Sequence, residues 1–364
     1  MGFDAANIGK LQKVVSYGGG NWNNGAIRKG LSSPLAVDSN LDGITDMAYA
    51  GDMEGNLYRF DFRGTPNQWN AQLLYRGSAN QPIIAKPVVY RISNNRLVVM
   101  VGTGTDVFDA DLDNKTMQSF IAVYDDINDH HRTITSAKTK ANLLEQTFET
   151  VKNVSGDTLR YSSSNALDDA MHAGWYINLH AGGALTGERV INQAVVQGFN
   201  VYFTSRIYNK SAADAKAVCQ STSASGNSFV NGFNAANGKA PATDKGNSFF
   251  ASKIGSDNLY SSFSLSGIAS GLAVSNVTGL NTSIHGNLTN GEFDAIGGGG
   301  TNLTCDGERG CGTIRLSQSA VCVDGKEWMY VVSSGNQIKK VETGNNCIKL
   351  DNRAYKRLSW REIF

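Results

Sequence analysis

Apolar and polar residues alternate along short stretches of this chain, and turn residues separate the stretches. "DMAYAGDMEGNLYRFDF" is followed by "QPIIAKPVVYRISNNRLVVMVGTG" and then "MQSFIAVYDDI". Later come "GWYINL", "ERVINQAVVQGFNVYFTSRIY", "NSFVNGFNAANG" and "EWMYVVSSGNQIKKVE". A period of two marks half-buried antiparallel strands. Asn94-Asn95 divides "VVYRIS" from "RLVVMVG", which predicts a two-residue hairpin of the kind asparagine tolerates. "QGFN" predicts the same for "VVQGFNVYFTS". An aromatic strand, a polar turn and a hairpin ending in Gly, Ser or Thr recur with variation. Imperfect repeats of a small sheet predict an all-β propeller.

Two kinds of segment interrupt the pattern. Lys138–Glu149 is the best helix candidate. Residues 210–258 and 279–313 are rich in Ser, Asn and Gly, and are expected to be long surface loops.

One stretch carries metal chemistry. In "DSNLDGITD" the oxygen-bearing side chains Asp38, Asn40, Asp42 and Asp46 fall at loop positions 1, 3, 5 and 9. Gly43 at position 6 permits a sharp turn, and Ile44 at position 7 offers its main-chain carbonyl. Calcium is a hard cation that takes six to eight oxygens from a flexible ring, so this spacing predicts a Ca2+ site. Position 12 is Tyr49 rather than Glu, which leaves Asp46 to supply two oxygens. The loop runs into a strand, not a helix. A polar Asx turn is the plainer alternative. In "DVFDADLDNKT", Asp109, Asp111 and Asp113 also alternate, but no glycine follows them; a solvated loop is expected there, with a second cation site as the alternative. His130-His131 is expected to be an exposed pair, since adjacent strand residues face opposite ways.

Composition narrows the function classes. The 364 residues carry 33 Lys+Arg against 32 Asp+Glu, a net charge of +1. That balance speaks against a nucleic-acid partner, which usually leaves a basic excess. Forty glycines and five prolines agree with a turn-rich β protein. No apolar run approaches the ~18 residues of a membrane-spanning helix. "MGFDAANIGK" lacks the charged-then-apolar pattern of a signal peptide and is expected to be an artificial start to a piece of a longer protein. Cys219, Cys305, Cys311, Cys322 and Cys347 show no zinc spacing. Two disulfides in an oxidising compartment are expected, with Cys305 and Cys311 around "DGERG" as one possible pair; the full pairing stays open. No GxSxG, HExxH or phosphate-loop motif occurs, and "IGGGGTN" lies in a polar loop, so no enzyme class is indicated.

"GLSSPLAVDSNLDGITDMAYAGDMEGNLYRFDF" resembles the loop-and-strand signature of the PilC/PilY family of type IV pilus tip-associated proteins. "KPVV", "VGTG", "TMQSFIAVYD", "LLEQTF", "GWYINL", "GERVI", "VYFTS" and "RLSWREIF" are similar to the family in the same order. The resemblance implies a single domain over residues 1–364. It implies a modified seven-bladed propeller, related in shape to quinoprotein dehydrogenases, with long loop insertions and one or two short helices. It implies the C-terminal part of a secreted protein whose adhesive N-terminal region is absent here. Asp38, Asn40, Asp42, Ile44 and Asp46 match the family's calcium positions, with Asn40 a departure from the commoner Asp. The implied role is pilus extension against retraction, hence twitching motility and host-cell adherence. The implied partners are pilin or minor pilins and a host-cell receptor, at the bacterial surface, outer membrane or pilus tip. A direct glycan- or protein-binding adhesin is the alternative. A quinoprotein-type enzyme is less favoured, because the ligands come from one contiguous loop rather than a central channel.

Overall fold

The computed structural model describes residues 30–275 apart from short gaps, among them 129–132, 181–184, 210–224 and 242–259. Beyond 275 it describes only 305–306, 310–311, 327–332 and 338–344. The fold is all-β. Strands β1 (Leu35–Val37), β2 (Met47–Gly51), β3 (Leu57–Asp61) and β4 (Asn70–Tyr75) pair in chain order into an antiparallel four-stranded sheet. Next come β5 (Val88–Ser93), β6 (Arg96–Gly102), β7 (Ser119–Asp126), β8 (Leu144–Gln146), β9 (Phe148–Val154), β10 (Asp157–Ser162) and β11 (Gly174–Asn178). The second sheet has the order β5-β6-β7-β11-β8, with β8 parallel to β11. After β12 (Val195–Gln197), β13 (Asn200–Asn209), β14 (Ser225–Asn234) and β15 (Ser262–Ser266), the third sheet reads β12-β13-β14-β15-β10-β9. Strand β16 (Ala273–Ser275) precedes the short pair β17 (Cys305–Asp306) and β18 (Gly310–Cys311), and a further sheet joins β16 to β19 (Glu327–Val332) and β20 (Ile338–Gly344).

Both expected hairpins form, β5 to β6 around Asn94-Asn95 and β12 to β13 across "QGFN". The apolar run of β6 has a physical reason. Leu97, Val99 and Val101 face a core shared with Val37, Met47, Tyr49, Leu57 and Leu74 of the first sheet. Val98 and Met100 face the opposite core, shared with Val201, Phe203 and Phe233 of the third. A strand buried on both faces has no polar alternation to show. A third core joins Leu159, Tyr202, Val230 and Phe263 to Val331 of β19. Successive sheets therefore stack face to face in chain order, the arrangement of propeller blades. No closed sheet or ring occurs among the described residues.

The helix expected at Lys138–Glu149 is corrected. A single 3-10 turn, Lys140–Asn142, is followed by β8 and β9. Gln146 and Phe148 both point inward, at period two. Gln146 is fully buried yet satisfied: its Nε2 donates to the carbonyls of Asn165 and Asn237, and its Oε1 accepts from Ser163 Oγ and the Asn165 amide. The loop expected at 210–258 contains all of β14. Asp109–Asp113 is a short helix (α1), not a solvated loop. Its Asp111 is buried and accepts hydrogen bonds from Thr105 Oγ1 and the Phe108 amide, which engages that carboxylate in the helix's own first turn.

Candidate metal loop

The segment 38–46 is the connection between β1 and β2. Val37 pairs with Met47, and the Asp46 amide donates to the Val37 carbonyl (3.0 Å), which closes the hairpin. The Phe62 amide, just beyond β3, donates to the Asp46 carbonyl (2.7 Å). Asp46 is thus fixed by its backbone from both sides. The loop itself is a run of Asx turns. Asp38 Oδ2 accepts from the Gly43 amide (2.7 Å) and Asp38 Oδ1 from the Asp42 amide (3.3 Å). Asn40 Oδ1 also accepts from the Asp42 amide (2.9 Å), and Asn40 Nδ2 donates to Asp42 Oδ2 (3.0 Å). Asp42 Oδ1 accepts from the Ile44 amide (2.8 Å). Gly43 makes the turn at φ +92°, a left-handed conformation that disfavours any side chain.

Two residues that sequence reasoning missed complete the loop. Ser39 donates to Asp46 Oδ2 from both its amide (2.8 Å) and its hydroxyl. Arg91, on β5 of the second sheet, donates from Nη2 to the Ser39 carbonyl (2.6 Å). Ser39 stands inside the acidic spacing and gave a usable signal. Arg91 is far along the chain and gave none.

Among the described residues, no group of three or more His, Cys, Asp or Glu side chains is gathered as a metal cluster. Asp38 and Asp42 engage both carboxylate oxygens with the loop's own donors, and Asp46 engages its Oδ2. The donor set nevertheless suits a hard cation. Every candidate ligand is an oxygen, and while Asp46 Oδ2 takes both Ser39 donors, its Oδ1 stands beside them as a second carboxylate oxygen for a hard cation. Calcium therefore fits these residues by chemistry.

Among the described residues, the remaining candidates do not assemble a reaction centre. Asp125 is buried in a network that joins the first two sheets, accepting from Arg59 Nη1 and Tyr49 Oη (both 2.7 Å). Burial pushes the Tyr49 hydroxyl well up, and the neighbouring Asp125 charge adds to it. An open groove of about 420 Å³ runs along β4, and Arg76 is its one charged lining residue. It offers no acid–base pair. His130-His131, "IGGGGTN", Cys219, Cys322 and Cys347 lie outside the described residues. The β17–β18 ladder sets Cys305 opposite Cys311, while their side chains lie outside the description.

Lys140 is the most perturbed amine described. Burial lowers it from the ordinary 10.5 to about 8, against a smaller opposing pull from Glu145. Its Nζ bonds Ser119 Oγ (2.7 Å) and Asn178 Oδ1 (3.1 Å) and lies over the Tyr176 ring. Ser119 is fully buried, so this pair is closed to a substrate. A lysine depressed in the folded state releases its proton before the unfolded chain does. Stability relative to Lys140→Met is then expected to rise as pH climbs from about 8 towards 10.5, and to lose that gain as pH falls back through 8. Urea unfolding of both proteins across that window checks the slope.

Residues 4–159 match the family described as the PilY1 beta-propeller domain. The chain is similar to the type IV pilus biogenesis factor PilY1 of Pseudomonas aeruginosa, 28% identical over 47% of this chain and 18% of that protein. It is also similar to a PilY1 homolog of Xylella fastidiosa, 32% identical over 56% of this chain and 16% of that one. These matches span less than a fifth of either relative's length. Among solved structures, the C-terminal domain of Pseudomonas aeruginosa PilY1 superimposes with a TM-score of 0.59 at 20% identity, covering 93% of this chain and 65% of that domain. That likeness shows a shared fold, and the family description makes it a β-propeller. Among the described residues, no helix is long and apolar enough to cross a membrane.

Proposed function

From the chain's likeness to the PilY1 beta-propeller family and to named PilY1 relatives, we propose that it belongs to the PilC/PilY family and is a calcium-binding propeller module of a type IV pilus biogenesis factor. Seven blades are the expected count. The observation that supports calcium best is the β1–β2 loop, where an alternating oxygen set is held on a backbone pinned to β1 and β3. Asp38, Asn40, Asp42 and Asp46 would hold the ion through side chains and Ile44 through its carbonyl. The ion supplies positive charge where three carboxylates otherwise repel one another.

The chain's own part is to carry that loop on a rigid sheet and to present its surface to other pilus proteins. Pilin or minor pilins are the proposed partners, at the bacterial surface or pilus tip. Support of extension against retraction, twitching motility and host adherence are the proposed outcomes, with a host-cell receptor as a further partner. Named relatives that are pilus biogenesis factors favour this reading over an enzyme.

The test is Asp46→Ala in the full-length protein, with calcium binding followed by calorimetry and surface pili counted on the same strain. Loss of both is expected. Unchanged calcium binding would remove Asp46 from the ligand set. Normal piliation without calcium binding would separate the site from pilus biogenesis.

A further inference from the structure

Ser39 is a three-way junction. Its amide and hydroxyl hold Asp46 Oδ2, and its carbonyl receives the Arg91 guanidinium at 2.6 Å. Asp46 is the candidate ligand on which the loop most depends, because no Glu stands at position 12. Arg91 arrives from a different sheet, from half-buried β5, whose Val89 packs against the core shared with Val37 at the root of the loop. Its partner at Ser39 is a backbone carbonyl, so that contact fixes chain position. Hydrogen bonds from a charged donor are among the stronger ones, and this one is partly shielded from water.

We infer that Arg91 is a positioning residue of the loop. By clamping Ser39 from the second sheet it orients the Asp46 carboxylate for a cation and ties the loop's state to β5. This deepens the calcium reading and rests on it for the metal. The clamp on the loop stands without it. Outer partners that orient metal ligands commonly change affinity 10–100-fold when removed. A bare electrostatic role would act the other way. Removing a positive charge beside a cation site should strengthen binding, so the sign of the change separates the two accounts.

The experiment compares wild type, Arg91→Met and Arg91→Lys as the whole chain. Calcium titration by calorimetry is joined to terbium luminescence decay, which counts waters on the bound ion. Hydrogen exchange of the 38–46 amides is measured without metal. Arg91→Met is expected to weaken calcium about 10-fold or more, to add water to bound terbium, and to speed exchange in the metal-free loop. Its unfolding transition should stay near wild type. Arg91→Lys, which keeps the charge but not the fork, is expected to weaken binding as well. Tighter calcium in Arg91→Met with Arg91→Lys unchanged would overturn positioning in favour of electrostatics. Unaltered loop exchange would overturn the clamp outright. Wild type that takes up no calcium while the variant's loop still exchanges faster would overturn the metal reading and the metal half of this inference, and leave the clamp.

Discussion

Glu188→Ala is expected to destabilise the protein by about 3–5 kcal/mol, because it strands a buried guanidinium. Arg160 is fully buried and Glu188 is 2% exposed. The pair is bidentate, with Nη1 on Oε2 at 2.8 Å and Nη2 on Oε1 at 2.9 Å. Ser262 Oγ accepts from Nε (3.0 Å) and Nη2 (2.9 Å), and Asn231 Oδ1 accepts from Nη2 (2.9 Å). Ser205 Oγ donates to Glu188. The rings of Phe148 and Phe229 lie on the guanidinium, at 4.3 and 3.7 Å to their centroids. Urea unfolding checks the value. The double replacement Arg160→Met with Glu188→Leu is expected to cost less than Glu188→Ala alone, since no charge is then left unpaired. A loss under about 1 kcal/mol for Glu188→Ala would mean that Ser262 and Asn231 suffice to hold Arg160.

Trp175→Ala is expected to cost a similar amount, about 3–5 kcal/mol, by a different route. Trp175 is fully buried between the second and third sheets, near Phe120 and Phe233 with centroids at 6.0 and 5.8 Å. Its Nε1 donates to the Ala235 carbonyl at 3.0 Å. Gly238, at φ +71°, lies so close that an added Cβ would sit 2.5 Å from the indole ring. Its neighbours are a backbone turn and stacked rings, which cannot close inward over an emptied site, so a cavity should persist. A drop in melting temperature together with loss of near-ultraviolet dichroism is the expected result. A melting temperature within a degree of wild type would show that the site refills.

Strand content was legible where the two faces of a sheet differ, or where a turn announced itself. Asn94-Asn95 fixed β5 and β6, and the alternating oxygens marked the loop between β1 and β2. It was illegible where an inward residue is polar. Gln146 interrupts the apolar face of β8 in sequence, yet four hydrogen bonds make it a core residue. That is why "KANLLEQTFE" reads as helix. Arg59 and Arg160 are hidden in the same way, since a buried arginine declares its partner only in three dimensions. Asp111 was illegible in another sense: its polar run reads as a solvated loop, while its burial and its bonds to Thr105 and Phe108 make it a local brace. Within the loop, the ligand candidates follow from spacing. The link from Ser39 to Arg91 crosses 52 positions and two sheets, and no local pattern encodes it.

The passage from β8 to β9 has a mechanical meaning. β8 belongs to the second sheet and β9 to the third, and Thr147 alone lies between them. That leaves no slack, so a pull on one strand is delivered to the other within a single residue. Two neighbouring blades are in effect sewn by one stitch, and Gln146 is its knot. In the pilus role proposed above, such a seam would let tension spread over two sheets at once instead of peeling the strands away singly.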